Sequence, residues 1–535
     1  MNQFTSKYAG SIQCLLSGFD RLVFRGTIRR LSFAEGICAY LLFRKVLLKD
    51  AGQHMQAVTE RVKEASLAPV EALGRPVVYL PSSRTSKEEM ARRIAREEQI
   101  TEGPVCVLKC VEPCQTFEIY RNRDEKKLQV VGRVRKCTFL YHYLIHPEFG
   151  FMNARIQTWY PFSVQICLNG REWLARQMAA EGLCYSRADN CFVRLDEPAR
   201  AQELMDAQLK VNWPTLLDGI ARTLNPLHDE LFGEFCSGYY WSAHQSEWAT
   251  DILFDEPQHL RRLYPLLVRH GMTALSSPDV MRFLGRKLGP KDRLPSAFAG
   301  EVTSDVKTRQ EGVRIKHQLN RNSVKAYDKA YTDEAAVLRV ETTMNNEADF
   351  KVYRPKEGDS EGPLDWRSLR KGVADLYRRA QVCQAANNRY LDALTSVDDS
   401  TTLEELLATI TSRTTWNGKP VRALRPFEPD DARLLQAVSR GEFTINGFRN
   451  RDLQQLLFRT TQQLTPKDAN KEANIEARRR SAKVTRLLRM LRAHGLITKV
   501  PSTHRYQVTS LGRQIITAVL TARQTSVRQL LAKAA

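Results

Sequence analysis

No stretch of the chain approaches the ~18 uninterrupted apolar residues that a membrane-spanning helix requires. The opening MNQFTSKYAG lacks the charged and apolar regions of a secretory leader. Glycine-rich phosphate loops are missing too. Neither GxGxxG nor GxxxxGK followed by Ser or Thr occurs, which argues against ATP-driven work. The 11 cysteines contain no CxxC pair. Cys106, Cys110 and Cys114 recur at intervals of four, but a strand spreads such residues too widely for one tetrahedral ion unless it bends at Pro113. Buried free thiols in a reducing compartment are the expectation.

Negative charge is the scarcer sign. Against 81 Lys and Arg stand 60 Asp and Glu, a net charge of +21. Such an excess favours a polyanionic partner, because neutralising phosphates releases counterions and supplies sequence-independent affinity. The expected protein is cytoplasmic and faces nucleic acid, DNA first and structured RNA as the alternative, with no membrane partner. Otherwise the composition is that of a globular chain, 42% hydrophobic and 26% charged over 535 residues, enough for three or four domains.

The order of periodic segments predicts a multidomain α+β protein: an N-terminal α/β region, a central antiparallel sheet with helices and a C-terminal winged helix-turn-helix. Segment boundaries are expected at 1–115 (α/β), 116–235 (β-rich, aromatic and basic), 236–356 (central sheet), 357–425 (helical linker) and 426–535 (winged helix). Ser32 and Ser86 each stand where a helix N-cap would. In the second segment Tyr141, His142, Tyr143, Trp159, Tyr160, Phe162 and Trp173 lie among Arg133, Arg135, Lys136 and Arg155. Rings flanked by cations stack unpaired bases, although strand aromatics also form cores.

Gly312–Asn346 is the most chemically suggestive stretch. Val313–Leu319, Ser323–Lys329 and Val337–Met344 alternate apolar and polar residues, the pattern of strands buried on one face. The opposite, exposed face would carry Arg314, Lys316, Lys325, Tyr327, Lys329, Arg339 and Glu341. Glu247–Phe254 alternates as well, with Glu247 and Asp251 on one side. Pairing into the same sheet would gather Glu247, Asp251 and Glu341, oxygen ligands suited to Mg²⁺ or Mn²⁺. Tyr327, or Tyr331 after it, would then be a nucleophile, with Lys325, Lys329 and Arg339 stabilising charge on the phosphoryl group. The plainer alternative is a solvated face on which Glu341 pairs with Arg339 or Lys325.

Tyr327-Asp328-Lys329 followed by Leu338-Arg339-Val340-Glu341 resembles the Y-(N/D)-K…(L)R-x-E pattern of phage and plasmid rolling-circle replication initiators. The likeness covers at most Glu247–Asn346, and the histidine-hydrophobe-histidine motif of the other large initiator class is missing. It implies a metal-dependent endonuclease that nicks DNA or transfers strands. Over nearly its full length the chain is also similar to a bacterial winged-helix family often labelled MarR-like and associated with mobile elements. The alternatives to an endonuclease are a non-catalytic transcriptional regulator that uses the winged helix alone and a noncoding-RNA binder that uses the basic faces without cleavage.

Near the C-terminus, helices are expected at Asp430–Arg440, Asn450–Phe458 and Ala477–His494, then strands at Thr498–Val500 and Arg505–Val508 and a last helix at Leu511–Ala522. Three helices followed by a two-stranded ribbon is the winged-helix layout. Val484, Leu487, Leu488 and Leu491 form one stripe of the third helix. Arg478, Arg479, Arg486 and Arg489 lie opposite it, placed to read a groove. Lys499 and Arg505, with His504, would touch neighbouring phosphates, and Arg314 and Lys316 would add contacts on the central sheet.

Overall fold

In the computed structural model, the described residues are 3–81, 85–188, 190–236, 238–275, 277–285, 302–309, 312–329, 336–356, 358–359, 361–395, 402–440, 443, 447–458, 469–500 and 503–526. The strands among the described residues up to Met344 are β1 (Ile12–Thr27), β2 (Val77–Tyr79), β3 (Gly103–Asn122), β4 (Lys127–His146), β5 (Gly150–Gln157), β6 (Val164–Asn169), β7 (Tyr185–Ala188), β8 (Cys191–Leu195), β9 (Tyr240–Phe254), β10 (Val302–Arg309), β11 (Gly312–Leu319), β12 (Asn322–Asp328) and β13 (Val337–Met344). All but the β7–β8 hairpin join one sheet in the order β10-β11-β12-β13-β9-β1-β6-β5-β4-β3-β2. Only β2 pairs parallel, against β3. The segments 1–115, 116–235 and 236–356 are therefore not separate units. β1, from the first, is hydrogen-bonded between β6 of the second and β9 of the third.

One apolar core runs through this assembly from Phe4 to Leu394. Helices Pro257–Thr273 and Leu376–Leu394 cover the back of β9 and β11–β13, where Ile252, Ile315, Val324, Val340 and Met344 are buried. Asn387 fastens the second helix. Its amide donates to the carbonyls of Trp248 and Val340, both at 3.1 Å, and accepts from the Thr342 hydroxyl at 2.7 Å. Asn387→Ala would leave those buried groups unpaired, so its unfolding free energy in urea is expected to fall by about 1–3 kcal/mol. An unchanged midpoint would mean that water replaces the amide.

The front of β1 and β9 is covered as well. Gly18 in β1 faces Ala249 in β9, and a Cβ at Gly18 would lie 2.2 Å from Met205 of helix Pro198–Ala207. Only a strand without a side chain at that point lets the helix approach so closely. Beside it, Asn169 caps helix Gly170–Ala180 by accepting from the amides of Arg171 and Glu172. Ser86 caps its helix as expected, accepting from Glu89. Ser32 does not. Its hydroxyl donates to the Ile28 carbonyl, and the helix begins at Ala34.

The aromatic platform is largely core. His142, Tyr143, Tyr160, Phe162 and Trp173 are buried, and His142 bonds Ser66 at 3.0 Å, with burial lowering its pKa to about 4. Cys114 and Cys137 form a disulfide across β3 and β4, whereas Cys106 and Cys110 are buried thiols. No cysteine joins a metal-competent cluster among the described residues, and the expected free thiols are found at Cys106 and Cys110 but not at Cys114. No helix among the described residues is long and apolar enough to cross a membrane.

A second core runs from Ile410 to Val519. The linker expected at 357–425 is thus divided: Leu376–Leu394 belongs to the sheet and Leu403–Thr411 to this core. Here lie helices Pro429–Val438, Asn450–Leu457 and Ala469–Ala493, a three-stranded sheet of Phe448–Arg449, Arg505–Val508 and Ile497–Lys499, and helix Ser510–Gln524. The third helix starts eight residues before the expected Ala477.

Candidate functional site

Cross-strand register sets three rows on the front of the sheet. Arg314, Tyr327, Arg339 and Asp251 form the first, Lys316, Lys325, Glu341, Ala249 and Gly18 the second, and Gln318, Ser323, Thr343, Glu247 and Arg21 the third. The expected residues do share one face. That face is not the exposed cationic surface anticipated: Lys325, Tyr327, Lys329, Arg339, Glu341 and Asp251 are all buried, and Arg314 and Lys316 are half-buried. Alternation identifies which residues share a face but not what covers it. Here the helices at 170–180 and 198–207 and the β7–β8 turn close over it.

The pairing between β1 and β9 is interrupted between Phe19 and Arg21. The extra residue at this bulge is Asp20, which the alternation of the central strands does not reveal. Bulges re-aim side chains and recur beside functional sites. One carboxylate oxygen each from Asp20, Glu247 and Glu341 lie within 4.8 Å of one another, close enough to hold one metal ion.

Asp251, an expected ligand, is occupied elsewhere. Arg339 grips it through two bonds of 2.6 and 3.0 Å, and Arg171 approaches at 3.1 Å. Arg339 also reaches Asp20 at 3.1 Å and the Asn190 carbonyl at 2.7 Å. It is therefore a buried clamp, not a free electrophile. Asn190, in the β7–β8 turn, donates to both oxygens of Asp20, at 3.0 and 2.8 Å. Lys325 bonds Glu341 at 2.6 Å and stands 3.7 Å from Glu247. Four carboxylates (Asp20, Glu247, Asp251, Glu341) thus share the interior with four cations (Arg171, Lys325, Lys329, Arg339).

These contacts divide the carboxylates into two kinds. Burial alone would raise all four. At Asp251 the charges of Arg339 and Arg171 overcome it, and at Glu341 Lys325 does, so both lie below the usual carboxylate range. At Asp20 burial, with Glu341 and Asp251 nearby, prevails over Arg339 and raises the pKa. At Glu247 burial and the Glu341 charge outweigh Lys325 and push the pKa to about 7. A divalent cation among the three would relieve this repulsion, and the oxygen donors suit a hard ion.

Glu247 and Lys325 also line a cleft of ≈ 480 Å³, with Lys316, Arg321, His244 and Gln318 among its other walls. Among the described residues no tyrosine lines it. Tyr327 is 7% exposed, and burial and the Glu341 charge push its phenol up to about 12. Its ring lies between Arg314 and Lys329, whose charged groups are 6.0 and 5.3 Å from its centroid. A phenol held protonated is a poor nucleophile at neutral pH. Tyr331 lies outside the described residues.

On the C-terminal helix Arg478, Arg479, Arg486 and Arg489 are exposed, opposite the buried Val484, Leu488 and Leu491. Lys499 is exposed, whereas Arg505 is half-buried and donates to the Gly447 carbonyl at 3.4 Å.

Asp20 and Arg171 escaped sequence reasoning. The available signal was Asp20 itself, an acid between the apolar residues Phe19 and Leu22–Phe24. No protein-family model, curated protein or solved structure matches the chain, so the argument for function rests on these residues.

Proposed function

We propose that the chain is a metal-dependent phosphodiesterase acting on nucleic acid, of the kind that nicks or processes DNA in mobile elements. The observation that carries this reading is the carboxylate triad of Asp20, Glu247 and Glu341, of which Glu247 lines a cleft whose other walls are cationic and polar. Asp20 takes the place first expected of Asp251. A bound Mg²⁺ or Mn²⁺ would polarise the phosphoryl oxygens. Lys325 holds Glu341 in place, and Arg339, tied to Asp20 and Asp251, fixes the depth of the first ligand. Lys316 and Arg321 would offer positive charge to the flanking backbone. The attacking group is water. Its oxygen forms the new bond to phosphorus, the sugar oxygen departs, and the water's proton leaves for solvent or that oxygen.

The helix order and strand ribbon at 429–524 support reading the C-terminal unit as a winged helix that docks duplex DNA through Arg478, Arg479, Arg486 and Arg489. That unit alone would serve a non-catalytic regulator or RNA binder, but it gives no use to the triad.

Supercoiled and single-stranded DNA incubated with Mn²⁺ test the proposal, comparing the wild type with Asp20→Asn, Glu341→Gln and Tyr327→Phe. Cleavage by the wild type should fall about 10²-fold or more in the folded carboxylate variants and persist in Tyr327→Phe without a protein–DNA adduct. Cleavage surviving in both carboxylate variants sinks the site, and a trapped covalent adduct sinks attack by water.

A further inference from the structure

The front of the sheet is not closed along its whole length. Beyond the triad, toward β5, a row crosses three strands: Arg25 in β1 faces Gln165 in β6, which faces Arg155 in β5. On its other side Arg25 faces Ser242 in β9. Neighbouring strands are ~4.8 Å apart, so the two arginine backbones stand about 10 Å from each other with the amide between them. That spacing lets two long side chains converge on one anion.

Arg155 is already fixed. It donates to Glu112 at 2.9 Å, to the Tyr141 oxygen at 2.6 Å and to Gln165 at 2.9 Å. Arg25 is exposed and has no side-chain hydrogen bond or ion pair among the described residues. His244 lies at a second register shift, where β9 passes Val23 and Phe24 of β1. Burial first, then the charges of Arg25, Lys371 and Arg155, hold the His244 imidazole below its usual pKa, with Glu347 opposing them. Arg25 itself is held below its usual range, first by loss of water around it and then by Arg155. Lys371 pairs with Glu347 at 3.4 Å and Arg155 with Glu112 at 2.9 Å, which leaves Arg25 as the member of this group without a carboxylate partner among the described residues.

We propose that Arg25, Arg155 and His244 form a phosphate subsite, which grips the backbone of a nucleic-acid strand whose neighbouring phosphodiester lies at the triad. The connection is geometric. His244 lines the same cleft as Glu247 and Lys325. On β1, Arg21 faces Glu247, and Arg25 lies four residues further along the same face, about 13 Å away. The subsite rests on the phosphodiesterase reading for its purpose but not for its chemistry, since two guanidinium groups and an imidazole take any phosphate ester.

Binding measured in EDTA separates the two ideas. The probe is a fluorescein-labelled single-stranded 12-mer followed by anisotropy with the full chain, with its mononucleotide as competitor. Arg25→Ala is expected to weaken binding about tenfold at low salt and to flatten the slope of log K against log salt by roughly 0.7, the loss of one phosphate contact. Arg25→Lys should recover most of the slope and only part of the affinity, because an ammonium keeps the charge without the fork. Competition by the mononucleotide alone, with a wild-type oligonucleotide slope in Arg25→Ala, would make this a free-phosphate site and overturn the backbone contact. Wild-type affinity and slope in both Arg25→Ala and Arg25→Glu would overturn the subsite altogether. Weakened binding without metal-dependent cleavage by the wild type would keep the subsite and remove the phosphodiesterase.

Discussion

Replacing Arg339 with methionine is expected to destabilise the protein by about 3–5 kcal/mol, the usual result of removing one partner from a buried charge network. The guanidinium is 1% exposed and contributes two bonds to Asp251, one to Asp20 and one to the Asn190 carbonyl. Methionine fills much of the same volume, so the loss is electrostatic and not a cavity. Among the described residues Asp251 would keep the ion pair with Arg171, and Asp20 the hydrogen bonds from the Asn190 amide. Both carboxyls would respond by taking up protons. In the wild type the Asp251 pKa is depressed, so its stabilisation is present above the unfolded value of ~3.9 and lost only in stronger acid. Without Arg339 the folded pKa rises, and neutral pH then penalises the charged form. The deficit in urea should therefore be larger at pH 8 than at pH 5, and a second change, Asp251→Asn, should recover part of it. A midpoint within ~1 kcal/mol of wild type at pH 8 would show that Arg339 is not the clamp described.

The second large effect is a pH dependence of opposite sign. Glu247 is pushed up to about 7, chiefly by burial and then by Glu341, while an unfolded glutamate titrates near ~4.3. Between those values the folded chain holds a proton that the unfolded chain has released, so stability falls as pH rises and levels off above 7. The span is worth on the order of 3 kcal/mol. Glu247→Gln should remove most of this slope and be the more stable protein at pH 8, with a residual slope from Asp20, whose pKa is also raised. Millimolar Mg²⁺ or Mn²⁺ should flatten the wild-type slope too, as the cation replaces the proton and stabilises the folded state by mass action. Urea titrations at pH 5 to 8, in EDTA and then in metal, check both parts. Parallel curves for wild type and variant in EDTA would mean Glu247 is ionised throughout.

Local alternation carried much of the site and little of its setting. It placed Glu247, Asp251, Glu341, Lys325, Tyr327 and Arg339 on one face, because side-chain direction in a strand has a period of two whatever lies above. What covers that face depends on Met205 over Gly18 and Asn190 over Asp20, contacts between parts of the chain that no local pattern connects. The same limit explains the exchange of Asp251 for Asp20. Both are acids in strands that meet Arg339, and only the long-range pairing of β1 with β9 decides which of them is also gripped by Arg171 and which joins the other carboxylates. Rings such as Tyr160 and Phe162 were ambiguous for a different reason: aromatics beside cations suit a stacking surface and a core equally, and here they are core. Near the C-terminus the apolar stripe and the opposing arginines were plain, since a helix repeats its register within a few residues.

The position of β1 has a consequence for synthesis. It leaves the ribosome before either of its partners and yet occupies the middle of the sheet, with β6 on one edge and β9 on the other. Until those distant partners are translated, a sixteen-residue segment rich in Leu, Val and Phe has two unsatisfied edges. So non-local a pairing folds slowly and leaves the nascent chain open to aggregation. A chain stalled before residue 240 should require a chaperone to stay in solution, whereas one released after residue 344 can seat β1 between its partners.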